Sequence, residues 1–169
     1  MMLQIAFRQI ELADEAFRWE MLYHALYVPE GAAPYPREIV HEPAIAGYVC
    51  DWGRAGDSGL IAMDRSKPVG AVWLRQFTQS NPAYGYVDDE TPELSIALLP
   101  EYRNQGLGTQ LIERMIDAAR RQHPALSLSV SRDNPARRLY ERFGFIAIST
   151  SGASLTMRKS LRGEELLNL

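Results

Sequence analysis

The chain has 169 residues, 46% hydrophobic and 23% charged, with a formal net charge of −3. That length suits one domain with a substantial core, and the acidic balance excludes the broad basic face that general nucleic-acid binding needs. A single cysteine excludes an internal disulfide framework and fits a reducing compartment.

Met1 to Arg8 lack the charged-then-apolar layout of a signal peptide. No apolar run is long enough to span a bilayer. A cytoplasmic location with no membrane partner is the expectation. Leu3 to Arg8 alternates Leu3, Ile5 and Phe7 against polar or small neighbours and predicts a first strand. Asp14 is placed to cap a helix through Ala16, Phe17, Met21, Leu22 and Leu26, ended by Pro29-Glu30-Gly31. A short helix is expected within Arg37 to Tyr48, interrupted or delayed by Pro43. Gly59 to Asp64 and Pro68 to Phe77 read as antiparallel strands around Arg65-Ser66-Lys67, and Thr78 to Glu90 as a polar loop.

Glu93 to Leu99 alternates again, with Leu94, Ile96 and Leu98 on one face, and Pro100 ends the strand. Residues 101–108 turn the chain. Leu107, Leu111, Ile112, Met115, Ile116 and Ala119 then recur at helical spacing. Ala125 to Val130 is a strictly alternating strand. Asn134 is placed to cap a helix with Pro135 at its first position; Ala136, Leu139, Tyr140 and Phe143 share a face, and Gly144 stops it. Phe145 to Thr150 and Ala153 to Arg158 pair as a hairpin. Residues 1–160 are expected to form a single domain and 161–169 a C-terminal tail.

A glycine-bearing turn opening a helix suits an anion. The first helical N–H groups lack internal partners, the macrodipole adds positive charge, and Gly106 and Gly108 allow close approach to the backbone. Arg103 can add a fixed charge, so a diphosphate is the natural ligand. The Gly-Lys-Ser/Thr of a Walker loop and the three-glycine dinucleotide fingerprint are both absent. On the turn alone, a cofactor loop and an ordinary strand-to-helix connection both remain open.

Arg103-x-x-Gly106-x-Gly108, after its strand, resembles the acetyl-CoA signature of the GNAT superfamily of N-acetyltransferases. Asn134-Pro135-Ala136-Arg137-Arg138-Leu139-Tyr140-Glu141-Arg142-Phe143-Gly144-Phe145 is similar to that superfamily's second motif, and it follows in the right order. The two motifs cover the C-terminal half. In one departure, Asn134 lies six residues before Tyr140, where many members place it seven before; Asp133 holds that position.

The resemblance implies an α/β (α+β) fold: a mixed, mostly antiparallel sheet of six or seven strands with helices on both faces. It implies that the fourth and fifth strands splay apart at a bulge to admit pantetheine. Backbone groups of Ile96, Ala97 and Leu98 would meet the pantetheine. Asn104, Gln105, Gly106, Leu107, Gly108 and Thr109, with Arg103, would hold the diphosphate, and Asn134 would contact the cofactor. The implied activity is N-acetyl transfer from acetyl-CoA, as co-substrate and without a metal, to a primary amine of a small molecule or peptide. A non-catalytic CoA-binding sensor is the rival reading. A homodimer is compatible with the sequence.

Direct transfer needs a base for the ammonium, held reactants, a donor for the developing oxyanion and an acid for the leaving thiolate. Tyr140 is the acid candidate; its alternative role is core packing beside Leu139 and Phe143. Glu93 is the base candidate, at the start of the organising strand; its alternative is a solvated strand-end carboxylate. Asp88, Asp89 and Glu90 either attract a cationic acceptor or are merely solvated. Tyr27 and Tyr35 are the aromatic residues expected nearest the cleft. Cys50 has no paired histidine, and His24, His41 and His123 lack metal-ligand spacing.

Overall fold

A computed structural model describes residues 2–162. Seven strands form one sheet: β1 (Ile5–Gln9), β2 (Ser58–Asp64), β3 (Lys67–Arg75), β4 (Glu93–Leu98), β5 (Ala125–Ser131), β6 (Ile146–Ser151) and β7 (Ser154–Ser160), in the order β1-β2-β3-β4-β5-β7-β6. All neighbours pair antiparallel except β4 and β5, which are parallel. The helices are α1 (Glu15–Ala25), α2 (Pro43–Ala46), α3 (Leu107–Ala119) and α4 (Ala136–Arg142).

Alternation along β3 sorts the core into two layers. Val72 and Leu74 pack with Leu107, Leu111, Ile112, Met115, Ile116 and Ala119 of α3. Ala71 and Trp73 face the other way, onto Met21 and Leu22 of α1 and Ile45 of α2. Helices therefore cover both faces, as the resemblance implies. The α3 stripe is buried at all six predicted positions, each such side chain other than alanine stabilising by about 1.5–3 kcal/mol.

Several local expectations change. Asp14 does not cap α1: it ends a 3₁₀ turn (Leu12–Asp14), where its carboxylate accepts the Glu11 N–H at 2.7 Å and pairs with Arg8. The helix expected within Arg37 to Tyr48 divides into a 3₁₀ turn (Arg37–His41) and α2, because Pro43 lacks a donor and suits only a helix's first turn. Of the tail, Leu161 is buried and its N–H bonds Pro124 O at 2.9 Å; residues 163–169 lie outside the described residues. No helix among the described residues is long and apolar enough to cross a membrane.

Candidate active site

The site begins where β4 and β5 part. They share a single register pair, Glu93 with Ser127, and Ser127 N–H also bonds Pro92 O at 3.0 Å. Among the described residues the rest of β5 pairs with β7 alone, in a register that runs from Ala125–Ser160 to Ser131–Ser154. The expected splay is therefore present, but its expected bulge is not: the β3–β4 register runs from Gly70–Leu98 to Arg75–Glu93 without a shift. The gap arises from divergence of the two parallel strands.

Leu99 N–H bonds Val69 O at 2.9 Å. Antiparallel alternation then turns the backbone groups of Ala97 toward Ala71 and leaves those of Ile96 and Leu98 on the β5 side. Of the three residues expected along the pantetheine arm, Ile96 and Leu98 thus offer backbone groups to the gap, whereas those of Ala97 belong to the β3 ladder.

The glycine turn stands at one end of this gap. Asn104 and Gly106 adopt left-handed φ of 59° and 83°, which point the chain into α3; glycine takes this conformation without steric cost. The N–H groups of Gly106 to Thr109 precede the first i to i−4 bond, from Gln110 N–H to Gly106 O. A Cβ at Gly108 would lie 3.6 Å from Leu139 and 4.0 Å from Leu98, at the junction of α4 and β4. The cradle thus fits a diphosphate: open N–H groups, a dipole end and a position without a side chain. Gln105 caps Glu101 O at 2.9 Å. The Arg103 guanidinium turns back to Leu98 O and His24 O, at 3.4 and 3.3 Å.

A cavity of about 190 Å³ lies farther along the gap, lined by Glu93, Ile96, Asn134 and Tyr140 together with Tyr27 and Tyr48. Glu93 is 3% exposed, not the solvated strand-end carboxylate that the sequence left open. Its Oε1 accepts the Tyr48 hydroxyl at 2.6 Å and the Gly85 N–H at 3.1 Å. Its Oε2 is buried with no partner among the described residues. Burial raises the carboxyl to about 7, against the two hydrogen bonds, which lower it. It therefore titrates where a general base is most effective.

Tyr48 and Gly85 escaped sequence reasoning. Tyr48 follows α2, and its own hydroxyl accepts the Tyr84 N–H at 3.1 Å. Its carbonyl accepts Trp73 Nε1 at 3.0 Å, and its ring meets Phe77 edge-on. On either side, Gly47 O and Cys50 O accept Arg75 Nη1, while the same guanidinium pairs with both oxygens of buried Asp57. The two Nη1 bonds pin the Tyr48 segment to β3, and the bidentate pair with Asp57 holds the guanidinium in place for them. A Cβ at Gly85 would lie 2.7 Å from Glu93 Oε1, so glycine is required for the approach. The Asn81-Pro82 and Gly85 signals marked a loop, but nothing local in the sequence points that loop at Glu93.

Tyr140 is buried against Phe145, with ring centroids 6.2 Å apart, and burial pushes its phenol up to about 12. It also lines the cavity, so packing and chemical access coexist. Asn134 Oδ1 accepts the Ala136 N–H at 2.9 Å, but α4 starts one residue later than expected, at Ala136 with Pro135 in the N-cap position; Asp133 offers its carbonyl to the Tyr27 hydroxyl at 3.1 Å. With Arg103 to His24, this bond ties the end of α1 to both sides of the gap. Tyr35 is exposed and does not line the cavity, and its carbonyl accepts the Tyr23 hydroxyl. The acidic loop is also elsewhere: Asp89 accepts Gln79 N–H and the Tyr86 hydroxyl, and Asp88 accepts Glu90 N–H.

The acetyltransferase (GNAT) family model matches residues 14–145. The paia N-acetyltransferase of Thermoplasma acidophilum, solved with coenzyme A, is 18% identical with a TM-score of 0.68, over 94% of this chain and 99% of that one. The yncA protein of Salmonella typhimurium, solved with its cofactor acetyl-CoA, is 20% identical with a TM-score of 0.67, over 94% and 95%. The ribosomal-protein-S18-alanine N-acetyltransferase of Escherichia coli is 19% identical with a TM-score of 0.65, over 94% of each chain. No curated protein matches. With both motifs, the splayed strands and the glycine cradle in place, the family match over most of the chain establishes that this protein belongs to the acetyltransferase (GNAT) family.

Proposed function

We propose that the protein transfers the acetyl group of acetyl-CoA directly to a primary amine, with Glu93 as general base and Tyr140 as general acid. The observation that carries this reading is the joining of three features along one gap. These are the open N–H groups before α3, a buried carboxylate with a free oxygen, and a buried phenol.

Residues 104–109 hold the diphosphate, and the β5-side backbone groups of Ile96 and Leu98 meet the pantetheine arm. Asn134, whose Oδ1 is committed to Ala136, has its amide NH₂ available for the same ligand. Bound acetyl-CoA supplies the acetyl group as a thioester. An alkyl ammonium with a pKa near ~10.4 must lose a proton to react; the Glu93 carboxylate takes it, a small side-chain shift bringing Oε2, closed off where it lies, to the cavity. Tyr48 and Gly85 hold Oε1 and so fix the carboxylate beside the cavity. Tyr140 Oη hydrogen-bonds the leaving sulfur and donates its proton as the C–S bond breaks; burial, which raises the phenol to about 12 against ~8.5 for a thiol, opposes full transfer, so the phenol acts chiefly by stabilising the developing thiolate charge.

Thiol release from acetyl-CoA, followed with a panel of primary amines, tests the proposal. Amine-dependent release that falls in Glu93→Gln is the expected result. Coenzyme A binding without amine-dependent release from any acceptor would return the chain to a CoA-binding sensor.

A further inference from the structure

We infer that the acceptor is a small primary monoamine whose body, beyond the reacting nitrogen, is uncharged and largely apolar. This deepens the transferase reading and rests on it. Among the described residues, Glu93 is the single charged side chain lining the cavity. No arginine or lysine lines it. The nearby cationic residue on the same face of the sheet, Arg75, is spent on Asp57, Gly47 O and Cys50 O.

The wall opposite β5 is built from Leu22, Ala25, Leu26 and Ile45, with the tyrosine rings of Tyr48 and Tyr84. Two of the polar tips are already committed: Tyr48 Oη to Glu93 and Tyr84 N–H, and Tyr27 Oη to Asp133 O. What remains is neutral, the Asn134 amide and hydroxyls such as those of Ser95 and Ser129.

A carboxylate in such a place selects charge strictly. The acceptor's ammonium finds one anionic partner lining the cavity, the Glu93 carboxylate, whose buried Oε2 has no hydrogen-bond partner among the described residues. A second ammonium held inside the cavity would be desolvated without a counterion, and a carboxylate there would lie near Glu93 with no lining cation to offset it. The acidic residues that could have drawn a polyamine, Asp88, Asp89 and Glu90, do not line the cavity, and the first two are occupied by their own loop. A volume of about 190 Å³, shared with the thioester end, encloses a short body; anything longer passes the exposed Tyr84 ring into solvent.

The test uses the full chain, saturating acetyl-CoA, and butylamine, 1,4-diaminobutane and 4-aminobutanoate. These share a primary amine and a four-carbon chain and differ only at the far end. The kcat/KM for butylamine is expected to exceed each of the others by at least about tenfold, the cost of an unpaired charge in a largely apolar pocket. Equal or greater kcat/KM with the diamine or the amino acid, or transfer only to a short peptide included as a fourth arm, overturns the acceptor class and leaves acetyl transfer standing. Thiol release no faster with any of the four than with buffer, in protein shown by calorimetry to bind coenzyme A, overturns the transferase reading and this inference together.

Discussion

At the α3 end of the gap, the proposed ligand groups come from consecutive residues, 104–109, and need only a left-handed turn and a helix start. At the other end, Glu93 is held by a tyrosine 45 residues earlier and a backbone N–H 8 residues earlier, and Tyr48 is itself fixed by β3 through Trp73 and Arg75. The difference separates two kinds of site. The first follows from backbone geometry and tolerates change elsewhere; the second exists only when several distant segments have packed. Damage at the first end should appear as lost cofactor affinity, and at the second as altered acid–base behaviour with affinity intact.

A large loss of cofactor affinity is expected from Gly108→Val, which places a branched side chain between Leu98 and Leu139. Coenzyme A affinity should fall by ~10²-fold or more, equivalent to about 3 kcal/mol, in a protein that still melts cooperatively. Undiminished affinity by calorimetry would remove the cradle from residues 104–109. Tyr140→Phe keeps the ring against Phe145 and should lower kcat by ~10²–10⁴-fold, the range for a positioned acid, with cofactor affinity unchanged. Wild-type turnover would return Tyr140 to packing alone.

Smaller changes sharpen the contrast at the Glu93 end. The Tyr48 hydrogen bond lowers the Glu93 pKa; Tyr48→Phe should move the rising limb of the kcat–pH profile to higher pH, with little change in coenzyme A affinity. An unmoved limb would show that Tyr48 does not tune the carboxylate. Stability should respond as well. Because burial raises the folded carboxyl from an ordinary value of 4.5 to about 7, the neutral form is favoured in the fold. That stabilisation is complete below pH ~4.5 and is lost as pH rises through ~7, by roughly 3 kcal/mol. Glu93→Gln should therefore gain stability over wild type between denaturation curves at pH 5 and pH 8. Parallel curves would mean that Glu93 is not buried as described.

Legibility in the sequence followed the same division. Strand alternation, the α3 stripe and the two motifs are local patterns, and they placed the sheet and named the glycine turn and Tyr140 as candidates. Glu93 could be named as a candidate but not as a buried one, since its burial depends on Gly85 and Tyr48 closing over it. Tyr48 carried no signal: it follows a helix of four residues, and its partner lies across the sheet. The acidic run at Asp88 to Glu90 was conspicuous in composition, yet its first two carboxylates serve the turn that contains them. Arg103 similarly matched a motif, while its guanidinium reaches carbonyls of β4 and α1.

The pH dependence of kcat, at saturating acetyl-CoA and with one accepted amine, most directly tests the claim that a buried carboxylate accepts the acceptor's proton. Wild type should show a rising limb with a midpoint near 7, the value to which burial raises Glu93. In Glu93→Gln that limb should vanish, turnover at neutral pH should fall by ~10²-fold or more, and much of it should return at high pH, where the amine deprotonates unaided. A Gln variant whose profile tracks wild type across the range would contradict the account and pass the base's role to another group or to solvent.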